Sequence, residues 1–453
     1  MEINTAIVAG TGKSGISATK LLVNHGVKVY LFDENKDRDI EAIKEKTGDS
    51  ELVQIEPGEL GEDALSSSQL MVISPGIPVD APFTDVVRNA GIPIWSEIEL
   101  AYHYGKGKIA AITGTNGKTT TTALVGEIVR AHNAKTIVVG NIGIPYTELC
   151  DTTDDDSDTV AEISSFQLET VIDFHPNVSA ILNLTPDHLN RHYTFENYGN
   201  VKFSITKNQT MDDVTVLNYD DEHTRAMGEK AKDHCHVVYF SRLEKPAGGV
   251  YVEDGDIILE DGDKKINVLA IKDLKLMGAH NVENVLAAVG ISYYMGVPVD
   301  VIRDVATSFK AVAHRIEYVD TIDGVAYYND SKGTNPDAAI KGIQAMVAPT
   351  FLIGGGYDKG SEYDEWIEAF DGKVKWLVLI GQTAQKIADC AKRHGFNSII
   401  FEENLQDAVA YCHENAVDGD AVLLSPACAS WGQFDNYEQR GDMFKEYVRS
   451  YKE

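Results

Sequence analysis

The sequence predicts an α/β protein of three successive units, on two observations. Apolar runs rich in Val and Ile alternate with helix-length amphipathic stretches near both ends of the chain, the pattern of parallel sheets with helices packed on them. The length, 453 residues, exceeds one ordinary core, and about 100–200 residues per domain gives two to four domains with three in the middle. No tandem repeat of short fixed period is visible, so a solenoid is not expected.

Along the chain, "TAIVAG" reads as a strand, residues from about Ser14 to His25 as a helix, and "VKVYLFD" as the next strand. "LMVISPGIP" is a strand stopped by Ser74-Pro75-Gly76. A further apolar strand, "KIAAIT", opens a long middle region. The acidic tract Asp151 to Asp158 within it reads as a solvated turn. "HCH" (His234 to His236), alternating into "VVYF", suggests a strand with both histidines on one solvated face rather than a zinc site. From about Val312 the alternation returns, with "VAYYND", "TFLIGGG", "VKWLVLIG", "SIIF" and "AVLLSPA" as strands of a third α/β unit.

Composition narrows the class of function. The apolar fraction is 43% and the charged fraction 24%, values of a globular protein, and no run of about 18 apolar residues is long enough to cross a bilayer. The start, "MEINTAIVAGTGKSG", lacks a basic n-region and runs into a strand and a glycine loop, so a cytoplasmic protein without membrane insertion is expected. A net charge of −30 argues against a nucleic-acid partner, since a polyanion requires a basic surface. Five cysteines without a CxxC pair suit reduced thiols used for packing.

Three glycine loops carry the chemistry. Gly10-Thr11-Gly12-Lys13-Ser14-Gly15 fits G-x-G-x-x-G between a strand and a helix, and Asp33 closes the next strand. Such a loop lets a pyrophosphate approach the backbone at a helix N-terminus, whether in a dinucleotide or another diphosphate; a tight structural turn is the plainer alternative. In "ITGTNGKTTTT", Gly117-Lys118-Thr119 matches the end of a Walker-type loop between strand and helix. Lys118 would neutralise β- and γ-phosphate charge and Thr119 offer a hydroxyl to Mg²⁺. Ile112 stands where the first Walker glycine belongs and Gly114 takes over, which shortens the loop. "LIGGGYDKG" (Leu352 to Gly360) lacks the G-K-[ST] ending and fits an ordinary crossover. Two phosphate-type loops in separate units suggest two ligands, one spent as an energy source and one held as substrate.

Nine segments in order extend the pattern: "GTNGKTT", "GNIG", "EISSFQLE", "NLTPDHLNRH", "YGNVK", "GAHNVEN", "HRIE", "NDSKGTNP" and "SPACASWGQF". Through them the chain resembles the Mur ligases over essentially its whole length. The resemblance implies a Rossmann-like N-terminal domain for a UDP-sugar (1–98), a P-loop NTPase-like central domain for ATP (99–311) and a Rossmann-like C-terminal domain for the amino acid (312–453). It further implies an amide ligase that adds D-glutamate to UDP-N-acetylmuramoyl-L-alanine through an acyl phosphate, with two Mg²⁺ ions, in peptidoglycan precursor synthesis. A monomer is expected.

Site residues follow from the same resemblance. The UDP-sugar falls to Gly12, Lys13, Ser14 and Asp33 of the first unit, to Ser74, Pro75 and Gly76, and to Asn141 and His188. ATP falls to Gly114, Thr115, Asn116, Gly117, Lys118, Thr119 and Thr120, with Asn281, Asn284, Arg315 and Asp330. Glu162, His188 and Thr119 would take metal, joined by Lys202 as a carbamate; read unaided, Lys202 is a solvated helix charge. Lys118, His188, Lys202 and Arg315 make the expected catalytic set. D-glutamate falls to Lys332, Thr334 and Lys359, and to Ser430, Trp431 and Tyr437. Plainer alternatives stand beside these: Asn281 and Asn284 as caps, Asp330-Ser331 as a cap of the helix near Pro336, Tyr437 as core, and His188 with His192 as an i, i+4 pair lacking a third ligand.

Two positions depart from the family's usual pattern, Gly432 in place of an acidic residue and Asn190 in place of aspartate. Other functions stay open on the sequence: another Mur-type or folylpolyglutamate-type ligase, an NAD(P)-dependent oxidoreductase built on the first loop and Asp33, and a regulatory ATPase.

Overall fold

The computed structural model describes residues 3–141, 143–276, 278–310 and 313–452. Its strands form three sheets, and each grows from the apolar runs seen in the sequence. The first sheet contains β1 (Thr5–Ala9), β2 (Lys28–Asp33), β3 (Val53–Pro57), β4 (Leu70–Ile73) and β5 (Ile94–Ser96), in the order β3-β2-β1-β4-β5 with every pairing parallel. That order is the Rossmann-like one. β4 throughout, and β1 from Ala6 onward, are apolar and buried because a central parallel strand is covered on both faces.

The second sheet has nine strands: β6 (Lys108–Thr113), β7 (Ile137–Gly140), β8 (Asp158–Glu162), β9 (Val178–Ile181), β10 (Val214–Asn218), β11 (His236–Ser241), β12 (Gly249–Glu253), β13 (Asp256–Asp261) and β14 (Lys264–Ala270). Their order is β14-β13-β12-β11-β10-β9-β6-β8-β7. β6 lies between β8 and β9. Its C-terminal end therefore faces two loops that follow neighbouring parallel strands, the usual place for a ligand in such a sheet. β12 to β14 form an antiparallel meander, turned first by Asp254-Gly255, both at positive φ, the hairpin signal of an Asp-Gly pair.

The third sheet joins β15 (Glu317–Ile322), β16 (Val325–Asn329), β17 (Thr350–Gly354), β18 (Val374–Leu379), β19 (Ile399–Phe401) and β20 (Ala421–Leu424) in the order β15-β16-β20-β17-β18-β19. Only β15 is antiparallel to its neighbour.

The chain divides into two compact units. Met1–Asp273 with Glu283–Thr307 holds the first two sheets, and Leu274–Val282 with Ser308–Glu453 holds the third. The expected boundary between 311 and 312 falls outside the described residues. Leu274–Val282, expected with the central part, belongs to the second unit.

All five cysteines are buried. Among the described residues no helix is long and apolar enough to cross a membrane. His234 departs from its expectation: it lies in the turn after the helix Glu222–Ala231, its N–H bonded to Ala231, and the strand begins only at His236. The acidic tract is largely turn, but Asp158 is buried and starts β8.

Candidate active site

At the end of β6 the chain turns through Thr113–Gly117 and enters the helix Lys118–His132. Gly117 precedes the helix in the left-handed region, φ +84, and an added Cβ would lie 2.3 Å from Asn284 Oδ1. Neighbouring strand ends brace the loop. Asn116 N–H donates to Asn183 Oδ1 at 2.8 Å and Asn183 Nδ2 donates back to Asn116 O at 3.1 Å. Thr115 N–H donates to Asn183 O, and the Thr115 hydroxyl meets the Tyr198 hydroxyl at 3.1 Å.

Two lysines converge on one carbonyl. Lys118 Nζ donates to Gly114 O at 2.9 Å and Thr115 O at 2.8 Å; Lys202 Nζ donates to the same Gly114 O at 2.9 Å. Lys202 is thus not the solvated helix charge that the sequence alone suggests. It sits 2% exposed on the helix Phe195–Phe203, whose inward face carries it beneath the loop. Burial, reinforced by the nearby Lys118 charge, holds its amine well below the ordinary lysine range.

Glu162 ends β8 next to β6, as an acid at a strand end was expected to do. Its Oε1 accepts from Asn141 Nδ2 at 3.0 Å. Its Oε2 is buried with no hydrogen-bond partner among the described residues. Leaving a carboxylate oxygen dry costs about 1–3 kcal/mol or more, so this atom is one a cation would satisfy. His188, at φ +52 before the turn Leu189–His192, packs its ring on Phe166. Burial, and then the positive charges of Lys202, Lys118 and Arg191, depress its basicity against the pull of Asp187. A neutral imidazole is the form that ligates metal. Thr119 and Thr120 are buried in the first helical turn.

The first glycine loop lies in the same unit. Gly15 fits only without a side chain, since a Cβ there would stand 1.8 Å from Gly10 O. Gly12 and Lys13 are exposed at the start of the helix Lys13–Asn24, with Ser14 half-buried, and Lys13 Nζ donates to Gly143 O beyond Asn141. Asp33 is spent within the chain. Its Oδ2 accepts from Thr11 N–H and hydroxyl and pairs with Arg38, while Oδ1 accepts from Asn35 N–H. Burial alone would raise its pKa, but those bonds outweigh it and hold it low. This engagement counts against a dinucleotide reading, in which Asp33 would face a ribose. Ser74 and Pro75 are half-buried and Gly76 exposed after β4, with Pro75 O accepting from Arg191.

In the second unit, Asp330 is the hub. It follows β16, is buried, and accepts from Ser425 Oγ at 2.7 Å and Ile316 N–H at 3.3 Å, which fixes the turn bearing Arg315. Burial pushes its carboxyl up to about 7 against the pull of Arg315. It caps no helix: Asn335 does that for Pro336–Ala345. Lys332 Nζ lies 5.6 Å from the centre of the Tyr437 ring and Lys359 Nζ 5.0 Å from that of Trp431. Ser430 is buried, Thr334 and Tyr437 are half-buried and Trp431 is exposed, so Tyr437 is not core. Asn281 and Asn284 lie buried within the helix Ala279–Tyr294 rather than at a cap. Asn284 Oδ1 accepts from the Thr121 hydroxyl.

Residues that the sequence did not single out, Asn183 and Arg191 in the first unit and Ser425 and Arg440 in the second, hold the ones it did. The one available signal was position, since Ser425 follows a parallel strand directly and Asn183 comes two residues after the end of one.

The profile "Mur ligase MurD-like, N-terminal domain" matches residues 4–96, "Mur ligase middle domain" residues 112–292, and "Mur ligase, glutamate ligase domain" residues 314–428. A relative from Lachnospira eligens named UDP-N-acetylmuramoylalanine--D-glutamate ligase is 56% identical over 99% of both chains. One of the same name from Lachnoclostridium phytofermentans is 51% identical over 99% of this chain and 98% of its own. The solved MurF ligase from Thermotoga maritima in complex with ADP shares the fold, at TM-score 0.59 and 17% identity over 98% of this chain and 95% of that one. With three profiles in order and relatives above half identity along almost all its length, the chain belongs to the Mur ligase family.

Proposed function

We propose that this chain joins D-glutamate to UDP-N-acetylmuramoyl-L-alanine with cleavage of ATP to ADP and phosphate, in peptidoglycan precursor synthesis. The observation that carries this is near-full-length identity above one half to relatives of that name. We assign residues 1–98 to the UDP-sugar, 99–311 to ATP and 312–453 to the amino acid, in a monomer of the cytoplasm.

In this reading a carboxylate oxygen of the sugar peptide attacks the γ-phosphorus and ADP departs. The D-glutamate amine then attacks the acyl carbon, phosphate leaves, and the amine gives up a proton. Two anions must meet in the first step, so fixed positive charge is the main requirement. Lys118 and the N–H groups at the start of its helix supply that charge at the loop. Arg315 is assigned to the γ-phosphate, where a planar fork suits a phosphate better than an ammonium. Gly12 to Ser14, Ser74 to Gly76 and Asn141 are assigned to the UDP-sugar, and Lys332, Thr334, Lys359, Ser430, Trp431 and Tyr437 to D-glutamate.

The residues fit Mg²⁺, because the dry Oε2 of Glu162 asks for a cation. Glu162, His188, Thr119 and a carbamate on Lys202 would hold it, and the ion would neutralise phosphate charge during attack. Lys202 suits that modification: an uncharged amine is the form that adds carbon dioxide, and its burial beside Lys118 favours the uncharged form.

The test is a coupled assay of the purified protein. ADP and phosphate are expected only when the UDP-sugar peptide and D-glutamate are both present. Equal turnover with L-glutamate, or hydrolysis indifferent to the nucleotide sugar, would refute it.

A further inference from the structure

We infer that Arg440 is a positioning residue for the amino-acid site, its guanidinium locking the turn after β16 to the segment after β20. This rests on the reading that the second unit takes D-glutamate. Arg440 lies in the first turn of the helix Tyr437–Arg449 and is completely buried, 0% exposed. The three hydrogen bonds of its guanidinium all go to neutral acceptors. Nε donates to Ser331 Oγ at 2.9 Å, Nη2 to Ser331 O at 2.8 Å and Nη1 to Cys428 O at 3.2 Å.

Burial of a cation without a bonded carboxylate is costly, and the first turn of a helix is where a positive charge is least favoured. Burial indeed depresses the guanidinium to about 10, against the opposing pull of Cys428 and Asp330. An apolar side chain of similar length would fill the same space without that penalty. What it would lose is the fork, which ties two otherwise separate segments.

Those segments carry most of the assigned pocket. Ser331 adjoins Lys332 and lies three residues before Thr334, while Cys428 is two residues before Ser430. The Ser331 hydroxyl receives from Arg440 and donates to Tyr437 O at 2.8 Å, so the start of the helix joins the same knot. Tyr357 N–H donates to Ala429 O at 2.9 Å, which brings in the loop of Lys359. One planar group thereby sets the spacing between the cations and the hydroxyls that would grip a dicarboxylate. Lysine keeps the charge but, as a single point donor, cannot span both segments in this geometry.

The test compares wild type with Arg440→Lys and Ser331→Ala, all checked by circular dichroism and thermal melting. The readout is KM for each of the three substrates and kcat. In Arg440→Lys, KM for D-glutamate should rise about tenfold or more, with KM for ATP and for the UDP-sugar within about twofold and kcat falling less than that KM rises. Ser331→Ala should show the same selectivity at several-fold. It keeps the buried charge and two of the three Arg440 bonds, and it decides the matter should Arg440→Lys fail to fold. Unchanged KM for D-glutamate in the folded variants, or an equal rise for all three substrates, overturns the assignment. A wild-type protein whose turnover ignores D-glutamate overturns the underlying reading as well, and it is recognised on wild type alone.

Discussion

Asp330→Asn isolates the electrostatics of the second unit. Burial holds the Asp330 carboxyl at about 7 instead of 3.8. A carboxyl whose pKa is higher folded than unfolded retains its proton in the native state between those two values. It therefore costs nothing below the unfolded pKa, destabilises progressively as pH rises through the window, and exerts its full cost above about 7. At 1.36 kcal/mol per pKa unit, that full cost is about 4 kcal/mol. Asparagine is nearly isosteric: its oxygen accepts from Ile316 N–H and its amide donates to Ser425 Oγ, so the charge is lost without a cavity. Urea unfolding followed by tryptophan fluorescence reports mainly on this unit, which contains Trp366, Trp376 and Trp431. Between about pH 4.5 and about pH 8.5 the stability advantage of Asp330→Asn over wild type should grow by roughly 3 kcal/mol. A difference independent of pH, or one that grows in favour of wild type at alkaline pH, refutes the reasoning. Ligase activity of the variant should be lost at both ends of the range.

Gly117→Ala forces a left-handed backbone onto a Cβ that would stand 2.3 Å from Asn284 Oδ1; it should cost about 1–2 kcal/mol in backbone strain alone and abolish ATP turnover while UDP-sugar binding, measured by calorimetry, persists. Asn183→Ala removes both side-chain clamps on Asn116, worth about 1 kcal/mol each, and should raise KM for ATP several-fold; an unchanged KM counts against the clamp. Lys202→Ala should be nearly inactive and regain turnover with added formate or acetate, small carboxylates that replace a carbamate. An unimpaired variant would dismiss the modification.

Much of the architecture was legible because parallel strands buried on both faces are written as continuous apolar runs. β1, β2, β4, β6, β17, β18 and β20 stand where those runs occur, and the less completely buried β16 and β19 stand on apolar runs of their own. The meander β12 to β14 escaped because its strands mix charged residues with apolar ones, and its clearest mark was the Asp254-Gly255 turn. The phosphate loop declared itself through glycine, lysine and threonine between strand and helix. Lys202 and Arg440 did not, since a charged residue on an amphipathic helix reads as solvated unless a partner distant in sequence covers it. Covering Lys202 is the Gly114 carbonyl, 88 residues away, and covering Arg440 are Ser331 and Cys428. Neither kind of contact has a local sequence signature. Asn281 and Asn284 misled in a related way, because asparagine usually marks helix ends and here serves inside one.

The hydrogen bonds from Lys118 to Gly114 and Thr115 make the loop its own first ligand. A phosphate that draws the ammonium forward must compete with two carbonyls already in place, each charged bond being worth about 1.5–3 kcal/mol. Part of the intrinsic attraction for a nucleotide is thus discounted before any affinity is seen. In return the lysine is kept ordered and pointed, rather than searching rotamers in solution. A protein arranged in this way trades tightness of nucleotide capture for readiness, and weak anions such as chloride or sulfate gain little from the exchange.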